Sequence, residues 1–130
     1  MKATLLALTL ERLLSQTGLS VYAEGEVPEG ATYPYVAWSA RILGRWDDHT
    51  VSVSCLTQHD YQGCLSMAET LRRLIPDAGL LVPMGCGYAL FWVRAGSVRR
   101  EKLPGHITAC HMELGMRLYE AEDEEAMQAC

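Results

Sequence analysis

The chain has 130 residues, is 49% hydrophobic, and carries 16 acids against 11 bases for a formal net charge of −5. That length suits one domain that buries roughly two-thirds of its unfolded surface without a metal or disulfide staple, and the composition argues against disorder. No apolar run approaches the ~20 residues of a membrane span. Residues 2–16 place Leu6, Leu10, Leu13 and Leu14 on one helical face. Thr4, Thr9, Glu11 and Arg12 break the apolar run at helical spacing, so this is an amphipathic helix rather than a signal peptide. Gly18 is its stop, residues 19–23 (LSVYA) are a short strand, and EGEVPEGAT is a loop.

Residues 33–55, YPYVAWSARILGRWDDHTVSVSC, predict a long β-hairpin turning at Asp47, Asp48, His49 and Thr50. Val36, Trp38, Ala40 and Ile42 share its core face, and Tyr35, Ala37, Ser39 and Arg41 the other. Arms of about ten residues exceed the usual strand of ~5–6 and suit a large sheet or a reach toward another subunit. The helix at 60–75 follows, with Asp60 as N-cap, an apolar stripe of Tyr61, Cys64, Leu65, Ala68, Leu71 and Ile75, and Pro76 as stop. A loop with Gly79 leads to strands at 86–95 and 106–119, joined by the basic, turn-rich link GSVRREKLPGH. The order α-β-β-β-α-β-β predicts an α+β fold: an antiparallel sheet of four to five strands, with a long β-hairpin and both helices on one face. The expected domain is 1–119. Residues 120–130 are an acidic tail, and removing the five acids of EAEDEE leaves 11 acids against 11 bases.

The five cysteines, at 55, 64, 86, 110 and 130, are expected as buried thiols in a reducing compartment. Cys55 and His59, and His106 and Cys110, are four apart; on a strand that is ~13 Å, too far to share one metal ion. MGCGYA around Cys86 lacks the third glycine and the helix of a dinucleotide site, and no GxSxG elbow is present. Asp47 and Asp48 are turn residues, and no cofactor is expected. Trp38 and Trp92 suit the core. Trp46 at the hairpin tip, between Arg45 and Asp47, suits an interface, where tryptophan is enriched. The cations Arg94, Arg99, Arg100 and Lys102 suit a solvated loop or a subunit contact better than nucleic acid, because no basic body supports them.

The succession of parts resembles the tail completion (tail terminator, head–tail joining) proteins of long-tailed bacteriophages and prophages. The matching pieces are the leading leucine helix, Pro34-Tyr35-Val36 after a Pro/Gly turn, the acidic turn Asp47-Asp48, Ala68–Leu71 with Ile75, and two last strands joined through Arg99-Arg100 and Gly105. The likeness runs over about residues 3–119; the cysteines and the acidic tail fall outside it. It implies a non-catalytic structural protein that forms a homo-oligomeric, commonly hexameric, ring at the head-proximal end of the tail tube. Its implied partners are itself, the tail tube protein and a head–tail connector protein, with DNA only in passage and no membrane. Its implied location is the host cytoplasm during assembly and then the virion tail. Trp46, Asp47, Asp48, Arg99, Arg100 and Lys102 are the expected subunit or tube contacts. The other readings are a head–tail adaptor, a small cytoplasmic binding module, or a small enzyme using Cys86 or a histidine.

Overall fold

The computed structural model describes residues 3–41, 49–84 and 87–119, with side chains from Leu6 onward. Its elements are α1 (Ala3–Ser15), β1 (Ser20–Ala23), β2 (Tyr35–Arg41), β3 (His49–Gln58), α2 (Tyr61–Leu74), β4 (Leu80–Met84), β5 (Gly87–Val93), β6 (Arg99–Leu103) and β7 (Ile107–Tyr119). The strands form one sheet in the order β1-β2-β3-β7-β5-β4, with β6 also on β7.

The α+β class and the two helices match expectation, but the sheet does not. It has seven strands and is mixed, because β1 runs parallel to β2 while every other pairing is antiparallel. The connection 24–34 carries the chain back to start β2 beside β1 in the same direction. Two strands lay hidden in stretches expected to be loop. β4 (LLVPM) pairs with β5 despite Pro83, which a strand on the margin of a sheet tolerates. β6 (RREKL) occupies half of the expected basic link.

β7 organises the sheet. Along one edge it pairs with all ten residues of β3. Its other edge is shared: β5 pairs with its C-terminal part, and β6 with residues 107–111. β5 and β6 are thus one long strand interrupted by a turn at 94–98. The turn is tied down where the ladder breaks. The Arg94 N–H donates to the Glu113 carbonyl (2.9 Å), and the Ser97 hydroxyl accepts from the Glu113 N–H (3.2 Å) while donating to the Arg94 carbonyl (2.7 Å). Beyond β6, Pro104, Gly105 and His106 make a three-residue hairpin, with Gly105 and His106 both at positive φ.

Cross-strand partners share a face, so the register defines the core. Val36 lies by Cys55 and Cys110, Trp38 by Val53 and Met112, and Phe91 by Met116 and His49. All of these are buried. Both helices close over this face. α1 contributes Leu6, Leu10, Leu13 and Leu14, and α2 contributes Cys64, Ala68, Leu71 and Ile75. α1 touches both β1 and β4, the two ends of the strand order, so the sheet curls and the helix bridges its margins. Its last turn tightens, with Gln16, Thr17 and Gly18 each bonded to the carbonyl three residues back, before Gly18 turns the chain at φ +81. α2 starts where the Asp60 carboxylate accepts from the Gly63 N–H at 2.8 Å, and ends at extended Ile75 before Pro76.

Trp38 is in the core as expected, but Trp92 is not. It stands half-buried on the opposite face, its ring lying over its cross-strand partner Gly115. A Cβ at residue 115 would come within 2.1 Å of that ring, so only glycine fits beneath it.

Candidate interaction surface

Of the residues expected at an interface, Trp46, Asp47 and Asp48 lie outside the described residues. Arg99, Arg100 and Lys102 are all exposed, on β6. Because β6 pairs only with β7, the main-chain groups of its other edge are without a strand partner among the described residues. Arg100 and Lys102 share the face of Cys110 and Thr108, and Arg99 that of His111. Arg94, the fourth cation of the link, is instead part of the fold: its guanidinium lies 5.9 Å from the Trp92 ring centre and donates to the His49 carbonyl at 3.4 Å and the Thr50 hydroxyl at 3.3 Å.

Between β6 and α2 runs an open groove of about 340 Å³ whose lining includes Arg72, Arg99, Arg100, Leu65, Val98 and Glu69. Its cations outnumber its anions, and the acid it holds is already engaged, Glu69 with Arg73 at 3.4 Å. The guanidinium of Arg100 sits 5.1 Å from the ring centre of Tyr61. A second depression, on the far side of Tyr61, is lined by Lys102, His59, His106 and the capping Asp60. Here the hairpin tip is held to the end of β3. The His59 N–H donates to the His106 carbonyl at 2.9 Å, the two rings stack at 4.9 Å, and the Gln58 side-chain amide donates to the Gly105 carbonyl at 3.2 Å.

A second exposed surface lies at the opposite end of β7. Tyr88 pairs with Tyr119 on one side and Pro83 on the other, and Leu81 pairs with Leu90. Leu81, Tyr88 and Tyr119 are 55%, 49% and 44% exposed, an apolar cluster on the outer face. Neither it nor Arg72 was singled out by the sequence, although β-strand alternation from Ala89 and Phe91 outward would have placed Tyr88 and Leu90 away from the core.

The register brings together residues considered for chemistry, but not as sites. Cys55 and Cys110 are cross-strand neighbours, with Cys64 of α2 against them; all three are buried free thiols. The Cys64 thiol points at the carbonyls of Cys55 (3.5 Å) and Thr108 (3.7 Å). Burial, reinforced by the neighbouring thiols, pushes the Cys55 pKa up to about 12 and that of Cys64 to about 11. Burial also raises Cys110, against the pull of Arg100. Such thiols are poor nucleophiles at neutral pH. Among the described residues no three potential ligands come together for a metal, and Cys86 lies outside them.

On the outer face, Ser54 is 2.7 Å from Nδ1 of His111, whose Nε2 is 3.0 Å from Glu101. The residue types are those of a nucleophile, a base and an acid. However, Ser54 is in the middle of β3, between β2 and β7, and its main-chain groups serve the two ladders. An acyl-transfer centre needs free donors aimed at an oxyanion beside the nucleophile. The three side chains instead form a polar tie across β3, β7 and β6.

No protein-family model matches the chain, and no curated protein matches its sequence. Its fold is similar to that of a chain in a solved structure described as the virion of a native gene transfer agent (GTA) particle. The TM-score is 0.58 at 15% identity, over 82% of this chain and 84% of that one.

Proposed function

We propose that the protein is a structural component of a phage-like virion, a tail completion or terminator protein that forms a ring at the head-proximal end of the tail tube and supports head–tail joining. The observation that carries this reading is the fold shared across most of both chains with a component of a phage-like particle. Two features of the molecule agree with it. The basic groove and the Tyr88–Tyr119 cluster are unlike surfaces at opposite ends of β7, as two patches of a heterologous contact are. Without residues 120–125, the chain has 11 acids and 11 bases, a balance that would let DNA pass a channel without sticking. No catalysis is part of the proposal.

Light scattering over a range of concentrations, with and without tail tube protein, tests it. A closed assembly of subunits, alone or on the tube, supports the reading, and electron microscopy would show a ring. A monomer that ignores the tube but binds the head-side connector would make it an adaptor. Trp46→Ala is expected to leave the protomer folded and weaken association; loss of the fold would remove Trp46 from the interface.

A further inference from the structure

We propose that the groove between α2 and β6 receives the acidic segment 120–125 of a second copy of the chain, joining protomers head to tail. The inference rests on the reading above only in that copies meet; it requires neither a closed ring nor a tail tube.

The groove asks for an anion. Arg72 and Arg100 line it, Arg99 borders it from the other face of β6, and Lys102 stands in the depression beside it. No carboxylate among the described residues is within ion-pair distance of any of them, and the acids of the two depressions are engaged, Glu69 with Arg73 and Asp60 with the Gly63 N–H. The acid within β6 itself, Glu101, shares the other face with Arg99 and meets His111 there. Charged side chains protect a free strand edge from aggregation, but that role does not account for Arg72, which lines the groove from α2. The free edge of β6 can also pair with an extended segment through its main chain. Val98, 39% exposed, adds an apolar contact.

The chain carries a fitting ligand, since five of the six residues 120–125 are acidic and follow directly on β7. Reach decides between the same copy and another. The segment leaves from Tyr119, while Arg99 lies opposite His111 and Lys102 opposite Thr108. At about 3.4 Å per residue these positions are roughly 27 and 37 Å back along β7. Six residues span at most about 20 Å when fully extended. Within one copy, only the end of the segment could approach Arg99, and Lys102 is out of range. A neighbouring copy has no such limit. Because donor and acceptor lie at opposite ends of β7, the contact is heterologous and propagates from copy to copy.

The test is a charge swap in the full-length chain, followed by light scattering. The wild type should associate, and its apparent dissociation constant should rise about tenfold or more between low and high salt. Arg99→Glu/Arg100→Glu, and separately Glu122→Lys/Asp123→Lys/Glu124→Lys, should each be folded by circular dichroism and monomeric. Mixed in equal amounts they should associate again, since each then offers what the other needs. If the first groove variant misfolds, Arg72→Glu/Lys102→Glu replaces it. A wild type that stays monomeric at low salt, a tail variant that associates like the wild type, or a mixture that stays monomeric would overturn the proposal. So would single-stranded DNA binding that depends on Arg99 and Arg100 while self-association does not. Open chains restored by the swap but indifferent to tube protein would support this contact and sink the terminator ring. A ring on the tube that survives tail reversal would do the opposite.

Discussion

β5 and β6 lie end to end on the same edge of β7, and their ladders are of one kind. In β5, Ala89 and Phe91 point into the core and are fully buried. In β6, the four residues Arg99 to Lys102 are all exposed. Main-chain pairing therefore explains why both are strands, and side-chain environment explains why only one is structural. The half of the strand beneath the helices holds the fold together. The half that lies across the groove from α2 keeps its pairing but is free to carry charge.

That contrast can be broken by mutation, beginning at the buried end. Phe91→Ala should destabilise the protein by about 3–5 kcal/mol, and Leu71→Ala on α2 by about 2–5 kcal/mol, in urea titrations. A cost below about 1 kcal/mol at Phe91 would mean that β5 is not part of the core. Alkaline pH is the next lever, through the thiols on the core face. An unfolded Cys55 loses its proton above an ordinary value of 9.0, while the folded residue holds it to about 12. The thiol's contribution is therefore complete below pH 9 and lost as pH rises through 9–12. The slope owed to Cys55 is about 1.4 kcal/mol per pH unit within that window. Cys55→Ala should flatten the alkaline fall in stability; an unchanged slope would show that the thiol is not buried. Gly115→Ala should cost about 1–3 kcal/mol by driving the Trp92 ring off the sheet, with a red-shifted tryptophan emission. At the exposed end, Lys102→Ala should change monomer stability by no more than about 0.5 kcal/mol. A larger loss would make β6 a structural strand like β5.

The sequence revealed the parts whose side chains face two different environments. α2 was legible because its apolar residues recur at helical spacing; Cys64, Ala68, Leu71 and Ile75 of the expected stripe are buried, whereas Tyr61 is exposed and Leu65 half-buried at the groove. The arm at 51–55 was legible because Val51, Val53 and Cys55 alternate with Ser52 and Ser54. β6 offers no such alternation: RREKL is polar on both faces, so nothing but the hairpin turn Pro104-Gly105-His106 hinted that it pairs. β4 was obscured by its length and by Pro83. Trp92 was misplaced because half-strands flanked by apolar residues give no clue to phase. Its glycine partner lies 23 residues away, and only the register joins them. The candidate surface was half visible. Its arginines stood out in the link, but the open edge of β6 and the neighbouring Arg72 belong to tertiary structure. The parallel pairing of β1 with β2 likewise has no local signature.

α1 bridges the two margins of the curled sheet, and this constrains when the helix can dock as the chain is made. The helix is synthesised before every strand it covers, and one of those strands ends at Met84. At about 5–20 residues per second, translation from Ser15 to Met84 takes roughly 3–14 s. Throughout that interval Leu6, Leu10, Leu13 and Leu14 have no complete surface to cover, so α1 can dock in its final place only after β4 has emerged.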